Sequence, residues 1–182
     1  MKLLGIEINQ RVIERLCHYQ GMQHRFQLVN QSNQCAWIND SKATNVGATI
    51  AALNNFDAND DRQLILIAGG DSKQSDLSPL KIALEKKVDS LVLLGQDAKL
   101  IANLTSKIKA YFVSNMHQAV EKSKSLIEQS RLNQKIESTC SINRQAVVLL
   151  SPACSSLDMY RNFEERGTSF SDAVNSLVWE SK

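Results

Sequence analysis

Ile38-Asn39-Asp40-Ser41-Lys42-Ala43-Thr44-Asn45-Val46-Gly47-Ala48-Thr49-Ile50-Ala51-Ala52-Leu53 sets polar and charged residues at the junction of a strand-like run and a helix-like run. Upstream, Cys35-Ala36-Trp37-Ile38 reads as a short strand. Downstream, Val46, Ile50 and Leu53 recur at helical spacing. Thr44 or Asn45 supplies the oxygen that accepts an orphan N–H at the helix start. Backbone donors and the helix dipole converge at such a junction and suit an anion. Lys42 adds a mobile positive charge, and Asp40 an acceptor or ion-pair partner.

Two further junctions share this character. Leu64-Ile65-Leu66-Ile67-Ala68 runs into Gly69-Gly70-Asp71-Ser72-Lys73, and Val147-Val148-Leu149-Leu150 runs into Ser151-Pro152-Ala153-Cys154-Ser155-Ser156-Leu157-Asp158. Each has an ordinary reading by itself: a loop with a cap, or a Gly-Gly turn. Ligands of open α/β sheets collect beyond the C-terminal strand ends, so the repetition predicts one shared site.

The rest of the pattern agrees. Strands are expected at 26–29 and 35–38, joined as a hairpin by the polar turn 30–34. Helix 45–55, strand 64–68, helix 77–87, strand 90–94, helix 97–104, strand 110–113, helix 115–136, strand 146–150 and helix 158–178 follow. Helices alternating with strands predict a mostly parallel sheet covered on both faces, with right-handed crossovers. The last helix carries an apolar stripe of Tyr160, Phe163, Phe170, Val174 and Leu177, and Gly167 permits close approach. Helix 115–136 carries Glu121, Lys122, Lys124 and Glu128 as a solvated face. Residues 1–20 read as a turn and an amphipathic helix with Val12, Ile13, Leu16 and Tyr19 near one face.

Composition narrows the function. The 182 residues are enough for one sizeable core; 43% are hydrophobic and only 2 are Pro. A net charge of +2, from 21 basic residues dispersed among 19 acidic ones, makes no case for a nucleic-acid partner. Cys17, Cys35, Cys140 and Cys154 lack metal-ligand spacing and read as free thiols in a reducing compartment. No run reaches membrane-spanning length, and Met1-Lys2-Leu3-Leu4-Gly5 opens no signal peptide, so a cytoplasmic, monomeric protein is expected. There is no G-x-G-x-x-G fingerprint. The Gly69-Gly70-Asp71-Ser72-Lys73 run lacks the Ser or Thr that follows the lysine of a P-loop.

Gly21-Met22-Gln23-His24-Arg25-Phe26, Asn39-Asp40-Ser41-Lys42-Ala43-Thr44-Asn45, Gly69-Gly70-Asp71-Ser72-Lys73, Leu150-Ser151-Pro152-Ala153-Cys154-Ser155-Ser156-Leu157-Asp158 and Asn162-Phe163-Glu164-Glu165-Arg166-Gly167 resemble, in order and spacing, the C-terminal domain of the Mur ligases. The resemblance runs from about residue 21 to the end and is nearest to the branch that adds D-glutamate. Members adding lysine or a diamino acid usually carry an Asp-Tyr-Ala-His type signature where this chain has Asp40-Ser41-Lys42-Ala43-Thr44. It implies a Rossmann-like domain over 23–182 that binds the amino acid, with 1–22 as the tail of a central ATPase domain and its hinge. The implied reaction is the ATP-dependent joining of D-glutamate to UDP-N-acetylmuramoyl-L-alanine through an acyl phosphate, in peptidoglycan synthesis. ATP and Mg2+ would be held mainly by the central domain, and the isolated domain would be inactive. Another Mur-type or polyglutamate ligase on the same scaffold, or a standalone small-molecule binding module, stays open beside it.

The resemblance also implies site residues. Lys73 would pair with a D-glutamate carboxylate, whereas in another context it would be a solvent lysine. Thr44 would offer a hydroxyl at the helix head, or only a cap. Ser156 would contribute its hydroxyl, Leu157 its backbone and Phe163 its ring, the last otherwise plain core. Asp40, Lys42, Arg25 and His24 would stand on the ATP side, with His24 also fixing the hinge. No catalytic residue and no metal ligand is expected. Ser151, Cys154 and Ser155 have no base beside them, and this chemistry needs no covalent enzyme intermediate.

Overall fold

Residues 21–57, 61–137 and 145–179 are described, the side chains of 134–137 excepted, in a computed structural model. The expected segment 1–20, with Cys17 and His18, and Cys140 lie outside the described residues.

Two strands without a polar face organise the molecule. Every residue of β3 (Gln63–Gly69) and β6 (Ala146–Ala153) is buried. A strand covered on both faces reads as a continuous apolar run, which is how 64–68 and 146–150 stand in the sequence. Around them lie β1 (Gln27–Ser32), β2 (Cys35–Asn39), β4 (Ser90–Leu93) and β5 (Lys109–Phe112), in the order β1-β2-β6-β3-β4-β5. β1 is antiparallel to β2, and the remaining pairs are parallel. The hairpin turn is tighter than the expected 30–34. Ser32 pairs with Cys35, leaving Asn33 and Gln34 at φ 48 and 54, both left-handed, as a two-residue hairpin loop requires.

The alternation of side chains sorts the core into two layers. On one face Leu64, Leu66, Leu91, Leu93 and Leu149 pack with Leu53 of α1 (Val46–Leu53), Leu84 of α2 (Leu80–Lys87) and Ile101 of α3 (Ala98–Ala102). On the other Trp37, Ile65, Ile67, Val148 and Leu150 pack with Val120 and Ile127 of α4 (Met116–Glu137) and Phe170 and Val174 of α5 (Phe163–Asn175). The Trp37 and Phe170 ring centroids lie 6.3 Å apart. The expected α/β class with helices on both faces is the observed one.

Two helix starts and the setting of Lys124 depart from expectation, and one of the two candidate caps of α1 is selected. The last helix begins at Phe163, not 158, because the Asn162 side chain accepts from Glu165 N at 2.8 Å and caps it; Tyr160 therefore lies in the preceding turn. α2 begins at Leu80, after Pro79. Asn45, not Thr44, caps α1, accepting from Ala48 N at 2.9 Å. Lys124 does not belong to a solvated face: its side chain is only 16% exposed and its ammonium donates to Val178 O at 2.7 Å. The ring of Trp179 lies 5.8 Å from both Lys124 and Arg131, so the tail after α5 is held along α4 by cations against an aromatic face. Among the described residues no helix is long and apolar enough to cross a membrane.

The capping geometry makes Asn45→Ala cost about 1 kcal/mol of unfolding free energy. Thr44→Ala should cost less than half of that, and urea denaturation of the two variants side by side checks the ranking.

Candidate functional site

The three polar junctions meet at the C-terminal edge of the sheet. At the end of β3, Gly69 and Gly70 have φ 121 and 125. A Cβ on Gly70 would stand 2.1 Å from Ser155 O, so the pair is required by close backbone approach and not only by a turn. The contact is clasped by Asp71 N donating to Ser155 O at 3.0 Å and Ser155 N to Asp71 O at 2.8 Å. The chain then turns through Lys73 and Gln74 at φ 52 and 58, with Lys73 N donating to an Asp71 carboxylate oxygen at 2.7 Å. Behind the turn Asp97 accepts from Ser72 Oγ at 2.6 Å and Ser72 N at 2.8 Å, which holds its carboxyl below the ordinary range. The Asp40–Thr44 loop is fixed to β6 in the same way: Asp40 N donates to Leu150 O at 2.8 Å, and Ala153 N to Ala43 O at 3.0 Å.

Between these loops and the start of α5 lies an open cavity of about 300 Å³. Its lining includes Thr44, Lys73, Ser156, Leu157 and Phe163, all five residues expected around the amino acid. Thr44 and Lys73 are exposed, Leu157 is 59% exposed, Phe163 is half-buried and Ser156 is buried. Asp71, Ser72, Ser75, Ser155, Asn162 and Glu164 complete the wall. The cavity thus offers an ammonium and hydroxyls to a carboxylate, carboxylates to an amine, and an aromatic ring to methylenes, a set suited to a small amino acid.

A second cavity of about 300 Å³ is lined by Arg25, Asp40 and Lys42 over a floor that includes Ala48, Ala51 and Ala52. Three of the four residues expected on the ATP side gather here. The fourth, His24, does not: it is 8% exposed, with Nδ1 3.1 Å from Asn39 Nδ2, and it fills the space that a Cβ on Gly167 would take, 2.2 Å from Nδ1. Asp40 is turned inward. Its oxygens accept from Phe26 N at 3.1 Å and Ser151 Oγ at 2.9 Å, and burial pushes its carboxyl above the ordinary value. Lys42 reaches across the expected division: its ammonium stands 4.6 Å from the centre of the Phe163 ring, on the amino-acid side.

Cys154 is 1% exposed, and burial raises its thiol to about 12, which rules out a ready thiolate. Among the described residues no three His, Cys, Asp or Glu side chains converge as a metal site.

Sequence reasoning missed Arg166. It is 2% exposed, on the buried side of α5. Nε donates to Ser41 Oγ at 3.0 Å, Nη2 to Ser41 O at 2.9 Å and Nη1 to Cys154 O at 3.1 Å. Its place one helical turn after Phe163 and one before Phe170 was the available signal: a guanidinium on an apolar face must find donors' partners there.

The family model for the Mur ligase glutamate ligase domain matches residues 24–154. The chain belongs to this family. A UDP-N-acetylmuramoylalanine–D-glutamate ligase of Pseudomonas savastanoi pv. phaseolicola is 41% identical over 167 residues, which cover 91% of this chain and 34% of that protein. The enzyme of the same name from Pseudoalteromonas translucida is 41% identical over 156 residues, covering 86% of this chain and 31% of its own length. The chain therefore spans about a third of the length of the curated relatives it matches. Among solved structures, Mycobacterium tuberculosis folylpolyglutamate synthase complexed with ADP superposes with a TM-score of 0.65 at 13% identity, over 93% of this chain and 36% of that one. At that identity the likeness is one of fold.

The inward Asp40 of this Mur ligase domain has a pH signature. A carboxyl whose folded value is raised binds more protons folded than unfolded, so its contribution to stability falls as pH rises from 3.8 through the raised value. The unfolding free energy of Asp40→Asn relative to the unsubstituted protein should therefore shift in the variant's favour across that window, whatever its constant offset. Denaturation at a series of pH values reads the slope.

Proposed function

We propose that this chain is the amino-acid-presenting domain of an ATP-dependent ligase that adds D-glutamate to UDP-N-acetylmuramoyl-L-alanine. The observation that carries the reading is the single cavity lined by Thr44, Lys73, Ser156, Leu157 and Phe163, contributed by three strand-end loops and one helix start. The names of the relatives, at about 41% identity, support the same assignment.

In this reading residues 1–22 end a central ATPase domain and its hinge, and 23–182 form the amino-acid-binding domain; the family match beginning at residue 24 supports the boundary. ATP supplies the phosphoryl group that activates the carboxyl of UDP-N-acetylmuramoyl-L-alanine. The neutral amine of D-glutamate then attacks the acyl phosphate, and phosphate leaves from the tetrahedral intermediate. This chain's contribution is placement. Lys73 holds a carboxylate of the incoming amino acid, with Thr44 and Ser156 as hydroxyl partners, Leu157 as a backbone partner and the Phe163 ring against the methylenes. Holding the amine in line with the acyl carbon supplies the entropic part of the barrier lowering. Arg25 and Lys42 face the nucleotide, Asp40 holds their loop in place, and His24 anchors the hinge exit through its packing on Gly167. Mg2+ is assigned, with ATP, mainly to the central domain of the full-length enzyme. The enzyme works as a monomer in the cytoplasm, a setting that suits the free thiols of Cys35 and Cys154.

The deciding assay measures phosphate release by the full-length ligase carrying this domain, with UDP-N-acetylmuramoyl-L-alanine and ATP, while the amino acid is varied. D-glutamate should support turnover; a preference for L-glutamate or a diamino acid would sink the assignment. The 182-residue chain alone should release no D-glutamate-dependent phosphate, because it forms one wall of the cleft.

Within that enzyme, Lys73→Ala should raise KM for D-glutamate roughly ten- to a hundredfold, a charged hydrogen bond to a carboxylate being worth about 1.5–3 kcal/mol. KM for ATP should move little. Lys86→Ala, at an exposed lysine beside the opposite edge of the sheet, should change neither.

A further inference from the structure

The geometry points to Arg166 as the positioning residue that sets the shape of the amino-acid cavity without touching its occupant. This inference rests on the reading of that cavity as the D-glutamate site.

Besides the Lys73 turn after β3, three separate pieces of chain must hold register for the cavity to exist. The Asp40–Thr44 loop brings Lys42 and Thr44, the loop after β6 brings Ser156 and Leu157, and the first residue of α5 brings Phe163. The two loops are joined at their base by Asp40 N to Leu150 O and Ala153 N to Ala43 O. Those bonds say nothing about α5, which enters after the turn 157–162. Arg166 supplies the missing tie. Its planar fork places Nε and Nη2 on Ser41 Oγ and Ser41 O, at 3.0 and 2.9 Å, and Nη1 on Cys154 O at 3.1 Å. The Ser41 hydroxyl, having accepted from Nε, donates its own proton to Phe163 O at 2.8 Å. One side chain thus fixes both loops to the residue that opens α5.

Stability alone does not account for an arginine here. A guanidinium that is 2% exposed carries a heavy desolvation cost, and among the described residues no carboxylate stands within ion-pairing distance of it. Burial pulls its value down to about 10, which leaves it charged at neutral pH. An apolar residue would fill the same space without that cost but could not bind three oxygens on two loops. A displacement of about 1 Å at a substrate cavity is enough to cost about a hundredfold in rate.

The test uses the full-length ligase, with Arg166→Met, Arg166→Lys and Ser41→Ala, each verified as folded at the assay temperature by circular dichroism. Arg166→Met should raise KM for D-glutamate by about tenfold or more and leave KM for ATP within about twofold, and Arg166→Lys, which keeps the charge and part of the donor set, should recover part of the loss. A role confined to stability would lower kcat through the folded fraction and leave both KM values in place, and that result overturns the proposal. Where Arg166→Met does not fold, Ser41→Ala decides: a several-fold rise in KM for D-glutamate alone supports the tie, and an unchanged value overturns it. An unsubstituted enzyme indifferent to D-glutamate would instead overturn the functional reading beneath it.

Discussion

No side chain fits at Gly70. The backbone after β3 runs so close to the loop after β6 that a Cβ would stand 2.1 Å from Ser155 O, and the paired bonds between Asp71 and Ser155 close the gap. The whole site follows from this approach. It places the Lys73 turn beside Ser156, and the Asp40–Thr44 loop, held to the other side of β6, completes the three-sided edge. A wider separation would leave three loops, each with an unremarkable cap or turn, and no common cavity.

The close approach depends in turn on strand order. β6, last in sequence, inserts between β2 and β3. Its position makes it the most buried strand together with β3, and its C-terminal end becomes the centre of the site edge. Polar groups that have to be buried there are satisfied internally: Asp40 by Phe26 N and Ser151 Oγ, and Asn39 by Gly167 O, Ser171 Oγ and the His24 ring. The residues left facing solvent, Lys73 and Thr44 among them, are those without such internal duties, and they are the ones available to a ligand.

Lys42 complicates a clean division of labour. Its backbone N–H is bonded to His24 O at 3.0 Å, while its ammonium rests over Phe163. The stretch that precedes β1 is therefore bonded directly to the loop whose side chain reaches Phe163 in the wall of the other cavity. The two cavities thus form a continuous edge with Lys42 at the join.

The sequence by itself determined the fold class, the strands and most helices, and the three polar junctions, because alternation, helical periodicity and glycine placement are local properties that burial on a sheet imposes directly. It also carried the family motifs that single out Thr44, Lys73, Ser156, Leu157 and Phe163, all of which line one cavity. It did not decide which of two neighbouring oxygens caps α1, where α5 starts, or that Lys124 holds the tail, since each depends on competing partners that only the folded chain brings within reach. Asp40, His24 and Arg166 show the same limit more sharply. A charged or polar side chain looks alike in sequence whether it meets solvent or the interior, and only the insertion of β6 and the packing of α5 turned these three inward.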